Sequence, residues 1–169
     1  MSNTLQFARE IDQFHYALEL HHQGEIEKAT IIYRQLLCES PAESSLLGLL
    51  ATGLAQAADL LRAILWFERN MHLNPVHEAN LSNYVSALQD AGQYLRSAAL
   101  STRGIALFPE STAHYVNAGK AWTVLAQKNL AIRAYSQALV ISPHAAELIA
   151  FVAELKSSIR PPHEALSQI

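Results

Sequence analysis

Histidines and asparagines are the residues of this chain whose types and spacing could do chemistry. Eight histidines occur in 169 residues, and the densest group is His21-His22 followed by Glu25 and Glu27, the donor types that hold a divalent metal. Adjacent helical residues point roughly 100° apart, so His21 and His22 do not converge on one ion. The group therefore reads as a solvated surface. His72, His77, His114 and His144 fall near inter-element loops. Cys38 is the single cysteine, which excludes an internal disulfide and supplies no metal pair. No glycine-rich phosphate loop, nucleophile elbow or HExxH motif occurs. These observations predict no metal, no cofactor and no catalytic residue. The asparagines Asn83 and Asn117 stand 34 apart in number. Each amide carries a donor and an acceptor, the pair needed to hold a peptide backbone.

That interval belongs to the whole chain. Prolines at 41, 75, 109 and 143 are all 34 apart, and proline closes a helix because it lacks an N–H and clashes with a continuing turn. Counting back from each proline gives small residues twelve before (Ala29, Ala63, Ser97, Ala131) and, eight before, Tyr33, Phe67, Ser101 and Tyr135. Positions three and four apart share a helix face, so these mark the buried stripe of one helix per unit, helix B. Leu20, Leu54, Leu88 and Trp122, with Ala17, Ala51, Val85 and Gly119, mark the buried stripe of a preceding helix A. Gly24 and Gly92 sit at the A–B turn, where a left-handed residue can cap the helix. Ala58 and Ala126 take their place in the second and fourth units, so those turns are expected to do without it.

A helix–turn–helix unit repeated with this period resembles the tetratricopeptide repeat. The resemblance implies an all-α, right-handed solenoid of four repeats, at 10–43, 44–77, 78–111 and 112–145. Residues 1–9 extend the first helix, with Ser2, Asn3 or Thr4 as N-cap. A capping helix follows over 146–159 with Leu148, Val152, Leu155 and Ile159 on its inner face, and 160–169 form a tail. Ser97, Ser101 and Gly104 replace the usual alanine, aromatic and alanine, so the third unit is expected to pack most loosely. Residues 17–37 also resemble the first repeat of the arm that precedes the catalytic domain in bacterial O-GlcNAc-transferase-like glycosyltransferases, whose groove carries an asparagine ladder.

The four-repeat resemblance implies a concave groove lined by the A helices. Its candidate peptide-binding residues are His15, Leu49, Ser82, Asn83, Ser86, Asn117 and Lys120. Lys120 is the one clear cation, too few for a clamp on a terminal carboxylate. Trp66 flanks the buried stripe of helix B, and Ile149 and Phe151 lie off the inner stripe of the capping helix; these three are candidate interface residues, the last two for a homodimer.

Composition narrows the class further. Charged residues are 16% of the chain, against about 25% in soluble domains, which leaves apolar surface for a protein partner. The net charge of −3, with 12 Lys+Arg spread thinly, lacks the basic stripe that nucleic acid requires. The start has no basic and apolar leader, and no run approaches the ~20 apolar residues that span a bilayer. The sequence thus predicts a cytoplasmic, non-catalytic adaptor that binds an extended peptide or partner helix. The second resemblance implies an alternative, a substrate-presenting arm for a glycosyltransferase supplied by another chain or domain.

Overall fold

The computed structural model describes residues 2–158, with side chains from Glu10 onward. Ile159, the tail from 160 and the side chains of the N-cap candidates Ser2, Asn3 and Thr4 lie outside the described residues. Among the described residues the chain forms nine α-helices and no strand. They fall into two compact units, Met1–Ala91 and Gly92–Ile169.

The first unit holds α1 (Ser2–His22), α2 (Ile26–Glu39), α3 (Ser44–Gln56), α4 (Leu60–Leu73) and α5 (Glu78–Asp90). The second holds α6 (Tyr94–Leu107), α7 (Thr112–Val124), α8 (Lys128–Ile141) and α9 (Ala146–Ser157). Helices α3, α5, α7 and α9 begin at Ser44, Glu78, Thr112 and Ala146, the same interval that separates the prolines, and α2, α4, α6 and α8 keep it too. Within each unit, helices adjacent in sequence pack on one another. Polar side chains start several of them: Asp59 accepts from the Arg62 N–H at 3.3 Å and His77 Nδ1 from the Asn80 N–H at 3.2 Å.

The turns between paired helices depart from the sequence expectation. Gly24 and Gly92 have φ of 82° and 72°, and Ala58 and Ala126 adopt the same left-handed backbone, at 60° and 57°. The bond that defines this turn recurs with alanine in place: Glu25 N–H donates to Leu20 O, Asp59 to Leu54 O and Gln127 to Trp122 O, each at 2.9 Å. Retaining this capping bond outweighs the left-handed cost of a Cβ, so alanine keeps the glycine geometry.

Large rings sit against small residues throughout the interior. Tyr33 is fully buried, its hydroxyl 3.3 Å from Ala17 O, and Phe67 stacks on Tyr84 with centroids 5.7 Å apart. In the second unit Tyr135 lies so close to Gly119 that a methyl there would come within 2.6 Å of the ring. Ala131, Tyr135, Val152 and Leu155 form the buried cluster that closes α9 onto α8. Ser97 and Ser101 are fully buried as well, and the space at Gly104 is taken by the His114 ring. The looseness expected of the third repeat, 78–111, is absent at Gly104, because His114 of α7 supplies the missing bulk.

Candidate functional site

Helix α3 carries Ser44, Ser45, Gly48, Leu49 and Thr52 at three- and four-residue spacings, so they share one face. Helix α5 brings Ala79, Asn80 and Asn83, α4 contributes Asn70, and His77 caps the start of α5. Together these residues line an open cleft of about 310 Å³. No arginine or lysine lines it.

The floor of the cleft is built from amides. Asn70, only 1% exposed, ties α4 to the first turn of α3: its Nδ2 donates to Ser44 O at 2.9 Å and its Oδ1 accepts from Ser44 Oγ at 2.6 Å. Asn80 is 5% exposed, and its Nδ2 is buried without a hydrogen-bond partner. A buried amide end without a partner costs free energy, so its retention needs a reason. Gly48 lets the α3 backbone pack closely against both side chains. A Cβ on residue 48 would stand 3.0 Å from Asn80 Oδ1 and 3.2 Å from Asn70 Nδ2. Higher in the wall, the exposed Asn83 donates from Nδ2 to Thr52 Oγ1 at 3.3 Å.

No family model and no curated protein matches the chain. Solved structures do. MamA is 18% identical over 88% of this chain and 82% of that one, with a TM-score of 0.79. YrrB, described as a TPR protein with an unusual peptide-binding site, is 13% identical over 92% and 81%, at 0.76. The TPR domain of Arabidopsis OM64 is 16% identical over 69% and 96%, at 0.64. The fold is the all-α tetratricopeptide-repeat fold. Identities this low carry the fold and nothing finer.

The helix A register of the tetratricopeptide repeats holds the sequence-derived site residues in different settings. Leu49, half-buried, and Asn83 line the cleft. Ser82 is half-buried and Ser86 exposed on the same helix. His15 is exposed on α1 with its Nδ1 2.9 Å from Ile11 O. Asn117 lies in the second unit and is buried to 9% exposure, while Lys120 on the same helix is exposed. The two asparagines read as matching rungs therefore differ, one open to solvent and one enclosed. Sequence reasoning missed Gly48, Asn70, Asn80 and His77. The available signal was the register: five residues before each proline stand Leu36, Asn70, Gly104 and Ala138, and ten residues after those stand Leu46, Asn80, His114 and Leu148. One pair alone is two amides.

Trp66 is half-buried, with the Arg69 guanidinium 5.5 Å from its ring centroid. It lines a second hollow, of about 280 Å³, with Arg34, Leu37, Cys38, Pro41 and Arg69. Cys38 is exposed on that rim. His21 serves packing: its Nε2 lies 2.8 Å from Gln56 Oε1 and its Nδ1 3.2 Å from the Tyr33 hydroxyl. Among the described residues no group of three or more His, Cys, Asp or Glu side chains could hold a metal ion, and no helix is long and apolar enough to cross a membrane.

Proposed function

We propose that this chain is a non-catalytic protein-interaction scaffold that binds an extended peptide along the helix A face of its repeats. The observation that carries this reading is the cleft between α3 and α5, where amides and hydroxyls line one wall and floor without any charged partner. Such a lining satisfies the N–H and C=O groups of a peptide while making little demand on its charge. The description of YrrB as having a peptide-binding site supports the same use of the fold. The glycosyltransferase-arm reading rests on the resemblance of residues 17–37 and of the asparagines Asn83 and Asn117, of which only Asn83 lines the cleft.

Titrating the isotope-labelled protein with a pool of unstructured peptides tests the proposal. Backbone resonances of α3 and α5 shift first if the reading is right. Shifts gathered around Trp66 and Arg34, or no shifts at millimolar peptide, overturn it.

A further inference from the structure

We propose that the hollow between α2 and α4 is a docking site for an acidic segment of a partner protein, one that presents an apolar side chain flanked by carboxylates. The surface belongs to the B helices of the first two repeats, so it goes beyond the reading of the helix A cleft and does not depend on it. Leu37, Pro41 and Trp66 give this hollow of about 280 Å³ an apolar lining, and Arg34 from α2 and Arg69 from α4 are its charged groups. Arg69 is held in place. Its Nη2 donates to Pro41 O at 2.9 Å, and its guanidinium lies 5.5 Å from the Trp66 ring centroid. A guanidinium carries five N–H donors, so one bond to a carbonyl fixes the group and leaves donors pointing elsewhere for an anion. Among the described residues neither Arg34 nor Arg69 forms a salt bridge.

Charge and lining together select the occupant. The chain as a whole carries a net charge of −3, yet two cations and no carboxylate line this hollow. A carboxylate accepts paired N–H bonds from a guanidinium, whereas an ammonium is repelled and a carboxamide gains no charge assistance. The apolar lining adds the second requirement: a small inorganic anion would leave Leu37, Pro41 and Trp66 uncovered, and a purely apolar segment would leave both arginines without a counter-charge. Trp66 is half-buried and stacked beside Arg69, the pairing of residue types that most often anchors a protein interface. No arginine or lysine lines the α3–α5 cleft of the same unit. The two surfaces therefore suit different partners, one neutral and one acidic.

The test titrates four peptides into the isotope-labelled full chain while the indole N–H resonance of Trp66 is followed: Ac-Ala-Glu-Leu-Glu-Ala-NH2 and its counterparts with both Glu changed to Gln, both Glu changed to Lys, or Leu changed to Ala. The Glu-Leu-Glu peptide is expected to shift the Trp66 signal and to bind there roughly fivefold or more tightly than the Gln and Ala counterparts, with no shift from the Lys peptide. Arg34→Gln together with Arg69→Gln should erase the preference for Glu over Gln, and both side chains are exposed, so the fold should accept the change. Lys120→Gln, a charge removed in the second unit, should leave the preference intact. Equal affinity of the Glu and Gln peptides at Trp66, loss of the preference in Lys120→Gln, or no shift of Trp66 at millimolar peptide each overturns the site. A Trp66 signal that moves on raising the protein concentration alone assigns the hollow to a second copy of the chain and also overturns it. Shifts at Trp66 with none in α3 and α5 support this site while overturning the helix A reading, and shifts in α3 and α5 with none at Trp66 do the reverse.

Discussion

The backbone of Gly104 and the ring of His114 occupy adjoining space so closely that a methyl on residue 104 would lie 2.6 Å from His114 Cγ and 2.8 Å from Cε1. His114 is fully buried and stacks on Phe108 with centroids 5.7 Å apart. The ring has little room to retreat. Gly104→Ala restores the alanine that Ala138 supplies at this register and removes the roughly 1 kcal/mol cost of a helical glycine. Overpacking should outweigh that gain and leave a net loss of about 1–2 kcal/mol in urea denaturation. Adding His114→Leu recreates the Ala138 and Leu148 pairing and should recover most of the loss, a coupling that a double-mutant cycle measures directly.

Alanines 58 and 126 hold a left-handed backbone at a cost of roughly 1–2 kcal/mol each. Ala58→Gly and Ala126→Gly remove it, against about 0.4–1 kcal/mol of extra unfolded-chain entropy. A small net stabilisation is expected from each, and Gly24→Ala should destabilise by a similar amount. If Ala58→Gly lowers the denaturation midpoint, the turn carries no conformational cost there.

Asn80→Leu isolates the stability side of the cleft. The substitution removes a buried Nδ2 without a partner and places leucine where Leu46 and Leu148 stand in other repeats. Stability should rise by about 1 kcal/mol, visible as a higher thermal midpoint. A fall would mean that the amide is satisfied in solution by water entering from the cleft.

Much of the fold was legible because proline and the small-residue stripe act locally and repeat. A helix stop at 41, 75, 109 and 143 sets the helix spacing whatever fills the interior. The cleft was less legible, since its parts are departures from the repeat: Gly48, Asn70 and Asn80 read singly as tolerated variation. Their meaning depends on three helices bringing them to one point, which no single helix period records. Phe67 shows the same limit: its register marks the buried stripe of one helix, while its stacking on Tyr84 joins α4 to α5 across a repeat boundary.

The groove asparagines should separate by assay. Asn83 is exposed and bonded to Thr52 Oγ1, so Asn83→Ala should leave stability within about 0.5 kcal/mol and weaken peptide binding severalfold. Asn117, enclosed in the second unit, should cost roughly 1–2 kcal/mol of stability on change to alanine. Identical stability for the two variants would remove the distinction.

Burial pushes the Tyr33 hydroxyl up to about 12 from its ordinary value of 10.0. The neutral form is thus favoured in the folded state. Its contribution is present in full below pH 10 and lost as pH rises toward about 12, where the folded-state phenol also ionises. Tyr33→Phe should be less stable than wild type at neutral pH through the lost hydroxyl contacts, yet lose stability less steeply above pH 10. Parallel alkaline limbs for the two proteins would assign the alkaline transition to other groups.

Helix α9 sets two apolar residues apart by what each touches. Phe151 meets Tyr135 edge-on, with centroids 5.2 Å apart, and joins the cluster that closes α9 onto α8. Ile149 remains 48% exposed. Phe151→Ala should therefore cost about 3 kcal/mol or more in the second unit, whereas Ile149→Ser should leave folding within about 0.5 kcal/mol. If this helix joins two copies of the chain, Ile149→Ser abolishes a dimer seen by light scattering and Phe151→Ala does so only by unfolding α9. A wild-type protein that stays monomeric at high concentration removes the homodimer and leaves Phe151 as a packing residue alone.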